Sequence, residues 1–125
     1  MRYEARKVRN VRKTDKKIDN SLRKALTQVC DIAQSENDGF EWLTHFVNYD
    51  RFPNSLNIVC VFDTQENLAL ANQECFHRLI KDALDSIDIK VKDMNKHVQF
   101  DTEENCEKEN NGKWNVRFEK QGFQL

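Results

Sequence analysis

The sequence predicts an α+β fold: a single two-layer domain in which a mixed sheet is covered by two long helices. Three observations carry that expectation. Apolar residues recur at helical spacing from Ile18 to Ala33 and again from Leu68 to Leu84. Short runs rich in β-branched and aromatic side chains lie between and after these stretches, LNIVCVF above all. Only three Gly and one Pro occur in 125 residues, which leaves little room for long flexible linkers. A chain of this length buries a core without metal or disulfide support.

Residues 1–13 have no steady apolar period and read as a basic N-terminal arm, with residues 14–125 as the α/β domain. Thr14 or Asp15 caps a first helix over residues 15–35, its stripe formed by Ile18, Leu22, Ala25, Leu26, Val29, Ile32 and Ala33. Asp38-Gly39 marks a turn. FEWLTHFVNY, residues 40–49, is read as a strand with Phe40, Trp42, Thr44 and Phe46 on one face; Phe40, Leu43, Phe46 and Val47 would also suit a short helix. Residues 51–55, with the only proline, form the connection to LNIVCVF, residues 56–62. That continuous apolar run has the character of a central strand buried on both faces.

Asp63 or Thr64 caps the second helix, on which Leu68, Ala71, Cys75, Phe76, Leu79, Ile80, Ala83 and Leu84 form a broad stripe. IDIKVK, residues 87–92, alternates as a half-exposed strand. Val98–Phe100 and Trp114–Phe118 read as two further strands, separated by the acidic loop EENCEKENNGK, residues 103–113. The expected order is α-β-β-α-β-β-β.

Charge is distributed unevenly. Residues 1–24 hold ten Lys or Arg against three Asp or Glu, whereas residues 25–125 hold ten against eighteen. The chain's −1 total therefore conceals a basic end and an acidic body. No run approaches the roughly 18 apolar residues of a membrane span, and the first residues lack the apolar stretch of a signal peptide. Cys30, Cys60, Cys75 and Cys106 form no CxxC pair. The first three sit among apolar residues as reduced buried thiols, Cys106 in the acidic loop is the reactive one, and a cytoplasmic setting follows.

Candidate chemistry is sparse. Glu74 and His77 make one ExxH, where a di-iron bundle needs two and further glutamates. Asp88-Ile89-Lys90 resembles the D-x-K of metal-dependent nucleases, but it follows a helix that the motif normally precedes. Asp63, at the carboxyl end of the central strand, stands where open sheets place functional groups and equally where an N-cap belongs. His45, Trp42 and Tyr49 would line a pocket if their segment is a strand. No nucleophile is marked beside His45, His77 or His97, so no catalytic residue, metal or cofactor is implied.

The basic segment is the strongest signal. Arg2, Arg6, Lys7, Arg9, Arg12, Lys13, Lys16 and Lys17 can each meet a phosphate, with a steep dependence on salt. Arg6, Lys7, Arg9, Arg12, Lys13, Lys16 and Lys17 are the candidate contact residues. The leading expectation is a non-enzymatic protein contacting nucleic acid or a ribonucleoprotein. The alternative is an interaction module, or a homodimer, whose arm docks on an acidic protein surface.

The stretches RKTDKKIDNSLRKALTQVC, GFEWLTHFVNYDRFPNSLNIVCVFDT and FDTEENC, within residues 12–106, resemble an uncharacterised bacterial family sometimes labelled Fis-type transcriptional regulators. That label implies DNA binding in a regulatory role. Fis proteins end in a helix-turn-helix, however, whereas WNVRF near the end of this chain has a strand pattern. Helix, two strands, helix and strand is also the order in ribosome-binding factor A and in the N-terminal domain of the maturation factor RimP. FHRLIKDALDSIDIKVKDMNKHVQFDTEE is similar to the former in pattern, which implies an RNA cleft with a glycine or small-residue kink. No glycine lies between Gly39 and Gly112.

Overall fold

The structure, a computed structural model, describes residues 2–4 and 12–123. It is an α+β arrangement around a mixed sheet of four strands. A two-residue strand β1 (Arg2–Tyr3) is followed by the 24-residue helix α1 (Lys13–Glu36), then β2 (Phe40–Phe46) and β3 (Asn57–Phe62). Helices α2 (Gln65–Leu70) and α3 (Gln73–Ser86) lead to β4 (Val98–Thr102), and α4 (Glu103–Asn110) and α5 (Trp114–Lys120) complete the fold. The sheet runs β1-β2-β3-β4, with β2 and β3 antiparallel and each outer strand parallel to its neighbour.

β3 is buried on both faces, as its unbroken apolar run requires. Ile58, Cys60 and Phe62 join the larger core beneath α1 and α3, with Leu22, Leu26, Val29, Phe76, Ile80 and Leu84. Val59 and Val61 point the other way, into an aromatic cluster with Trp42, Phe46 and Phe118. β2 also forms, but its faces differ from simple alternation. The β2–β3 register shifts between Phe40 and Trp42, so Phe40 packs with Leu43 in the helix-side core while Trp42 and Phe46 lie opposite.

Several elements depart from the expected order. The second helix is two helices: Ala71 is extended, and Asn72 starts α3 by accepting a hydrogen bond from the Cys75 N–H. An Asn that caps its own helix outweighs a stripe that would have run through it. The alternating segment 87–92 is not a strand. Ile87 and Ile89 donate back to the Leu84 carbonyl, Asp88 adopts a left-handed conformation (φ 61°), and the chain straps Ile89 into the larger core.

The acidic stretch 103–113 is helical, capped by Thr102, which accepts from the Asn105 N–H. Glu103 and Glu104 in the first turn suit the helix dipole. Asn111 and Gly112, both at positive φ, end it, and the Gly112 N–H reaches back to the Cys106 carbonyl. Cys106 is consequently buried, the reverse of an exposed loop thiol. Trp114–Phe118 is a helix as well: Trp114 and Phe118, four apart, both pack on the aromatic face of the sheet. Arg117 turns inward and forks onto Asp101 of β4, through Nε at 2.7 Å and a second nitrogen at 3.0 Å.

Candidate nucleic-acid interface

α1 separates its charges by face. Asp15, Asp19, Leu22, Ala25, Leu26, Val29, Cys30 and Ala33 are buried against the sheet and α3. Lys13, Lys16, Lys17 and Lys24 are all exposed and fall on the opposite side at spacings of three, four and seven residues. No ion pair or side-chain hydrogen bond engages these four ammonium groups among the described residues. Lys13, Lys16 and Lys17, near the helix N-terminus, oppose the dipole, and Asp15 offsets them from the third helical position, where it accepts from the Arg12 backbone N–H.

The sequence-predicted contact residues divide into three groups. Arg6, Lys7 and Arg9 lie outside the described residues. Lys13, Lys16 and Lys17 stand on the exposed face. Arg12, although 66% exposed, already holds Asp15 through Nε at 3.0 Å and reaches Asp50 at 3.4 Å. Its charge is therefore partly neutralised within the fold. Lys24 extends the lysine face about two further turns, a position the sequence places off the apolar stripe but whose exposure only the structure gives.

Directly beneath this face, polar side chains tie four elements together. Asp19 Oδ1 accepts from the Tyr49 hydroxyl at 2.6 Å and lies 3.2 Å from His45 Nε2, while Oδ2 accepts from Arg23 Nε at 2.9 Å. His45 Nδ1 is 2.6 Å from the Tyr3 hydroxyl, and the Tyr3 and His45 rings stack. A neutral imidazole with its proton on Nε2 satisfies every partner: it donates to Asp19 and accepts from Tyr3. Burial resists ionisation of Asp19, but hydrogen bonds from His45 and Tyr49, with the nearby Arg23 charge, outweigh it and lower its carboxyl below the usual range. Burial first, and the Asp19 carboxylate second, push the Tyr49 phenol up. With His45 only 2% exposed, the network positions α1 and β1 on the sheet rather than offering a reaction site.

The other candidates do not assemble. His45 and Tyr49 converge on Asp19, but Trp42 points to the opposite face of β2, where its indole N–H donates to Glu103. The expected pocket of His45, Trp42 and Tyr49 is thus split by the sheet. Glu74 is exposed and His77 stacks on Phe100; no group of metal-ligating side chains occurs among the described residues. Lys90 pairs with Asp85 at 3.2 Å and Asp88 sits in a turn, so the strand that D-x-K geometry needs is missing. Asp63 Oδ1 accepts from the Thr64 N–H and from Asn67 Nδ2, a capping arrangement at the start of α2.

Helices α4 and α5, joined by three residues, place a helix pair where the sequence suggested a strand. Their charge does not favour phosphate: α4 carries Glu103, Glu104, Glu107 and Glu109, and Arg117 is buried on Asp101. No helix among the described residues is long and apolar enough to cross a membrane. Fold and site together define an α+β domain with a cationic helix face. Compared with known proteins, the chain matches no family model, no curated protein and no solved structure.

Proposed function

We propose that this chain is a non-enzymatic polyanion-binding module that contacts nucleic acid, or the nucleic-acid component of a ribonucleoprotein, through the outer face of α1. The observation that carries the reading is the set Lys13, Lys16, Lys17 and Lys24: exposed, on one side of a rigid helix, and free of carboxylate partners among the described residues. Arg6, Lys7 and Arg9 precede it in sequence and add charge of the same sign. Phosphate contacts of this kind give salt-dependent affinity without demanding a catalytic pocket.

One further feature supports an RNA-directed version of the reading: the order α1-β2-β3-α2-α3-β4 resembles the helix, two strands, helix and strand of ribosome-binding factor A, with the second helix divided in two. Free cysteines, three of them buried, suit a cytoplasmic protein.

Deleting residues 1–13 is a poor test, because it also removes Tyr3 and exposes His45. Charge substitution is cleaner. Lys13→Glu, Lys16→Glu, Lys17→Glu and Lys24→Glu combined should abolish binding to mixed DNA and RNA oligonucleotides in dilute salt while leaving the circular dichroism unchanged. Undiminished binding by that variant would refute the assignment of α1. Self-association that falls with salt, with no oligonucleotide binding, would identify an acidic protein surface as the partner instead.

A further inference from the structure

The lysine face also bears on which form of nucleic acid fits it. We propose that its ligand is the phosphate backbone of a duplex, held without regard to sequence; this rests on the polyanion reading above. Binding of single strands depends on aromatic side chains that stack with unpaired bases. Here every Phe, Tyr and Trp of the chain lies within the described residues, and none is exposed. The half-buried ones have neighbours within the fold: Tyr3 stacks on His45, Tyr49 packs with Phe52, Phe100 with Phe76, Trp114 with Trp42, and Phe123 with Phe46.

Among the described residues, the α1 face equally lacks an uncommitted arginine fork. Arg12 and Arg23 are engaged by Asp15 and Asp19, and the four exposed cations without a carboxylate partner are lysines, which meet phosphates as point charges. Bidentate recognition of guanine is therefore not available from this face. Lys13 and Lys24 are separated by about 16 Å along a straight helix at 1.5 Å per residue. A duplex, with one charge per about 1.7 Å of axis against about 3.4 Å for one strand, opposes that row with about twice the charge density. A rigid row of point charges on a rigid rod is the complementary pair.

The test is fluorescence anisotropy with a 24-base-pair DNA duplex, an RNA duplex of the same length, and single-stranded dT and U oligomers of that length. Each is measured across a salt series, with the wild type and with a Lys13→Ala, Lys16→Ala, Lys17→Ala and Lys24→Ala variant. The expected result is duplex binding at least about tenfold tighter than single-strand binding and indifferent to duplex sequence. The slope of log K against log salt should be shallower by about 3.6 in the variant, four phosphates at about 0.9 each. Comparison of the two duplexes names the nucleic acid. Single strands binding as tightly as duplexes, or a marked sequence preference, would overturn the duplex inference while leaving polyanion binding intact. Failure to bind any of the four probes would overturn both.

Discussion

Asp19→Asn probes the junction that sets α1 on the sheet. The substitution preserves shape and keeps an oxygen for Tyr49 and His45, but it removes the negative charge and turns an amide N–H₂ toward Arg23 Nε. Arg23 is 39% exposed and can swing into water, so its loss costs little. The bonds from Tyr49 and His45 are buried or partly buried and fall from charge-assisted to neutral, a difference of about 1 kcal/mol each. The expected destabilisation is about 2 kcal/mol at pH 7, roughly 8 °C in Tm for a chain of this size.

The pH dependence separates this mechanism from a mere packing defect. Because the folded-state pKa of Asp19 is lowered, its contribution is fully present above the unfolded carboxylate pKa of about 4 and is lost as pH falls through the folded value. Urea denaturation followed by circular dichroism should show the full gap between wild type and variant from pH 7 to 5, closing progressively below about pH 4. A gap that stays constant down to pH 3, or one below about 0.5 kcal/mol at pH 7, would refute the reasoning.

Three other outcomes follow from the same structure. Arg117→Met leaves the Asp101 carboxylate buried without its fork and should destabilise by about 3 kcal/mol in urea denaturation. Glu103 Oε1 accepts from both Trp42 and Trp114 at 2.8 Å, so Glu103→Ala should cost about 2 kcal/mol and alter tryptophan emission, whereas Glu103→Gln, which keeps an oxygen there, should preserve most of both. Burial pushes the Cys30 thiol up to about 12 and raises those of Cys60 and Cys106 as well. An aromatic disulfide reagent at pH 8 should therefore modify Cys75 first, and the other three only on unfolding.

The sheet's centre was legible because LNIVCVF has no polar residue to place on a solvent face, and α1 because its stripe persists for many turns. The C-terminal third was misread for identifiable reasons. WNVRF has a strand's composition, yet Trp114 and Phe118, spaced by four, share one packed face, and short segments satisfy both periods. Thr102 three residues before Asn105 and the Asn111-Gly112 stop were the helix signals within the acidic stretch. The Asp19 network was legible only in part. Two aspartates on the inward side of an apolar stripe announce buried polar partners, but nothing in one sequence identifies Tyr3, His45 and Tyr49 as those partners. Likewise the lysines were visible as charge, while their freedom and the commitment of Arg12 to Asp15 and Asp50 required coordinates.

The central claim is that α1's outer face meets the ligand. Amide chemical-shift mapping of the ¹⁵N-labelled chain during titration with a short nucleic-acid duplex tests it most directly. The account predicts shifts concentrated on Lys13, Lys16, Lys17, Asn20, Lys24 and their neighbours on that face, suppressed by added salt. Shifts centred instead on α4 and α5, or on the break between α2 and α3, with α1 unmoved, would contradict it.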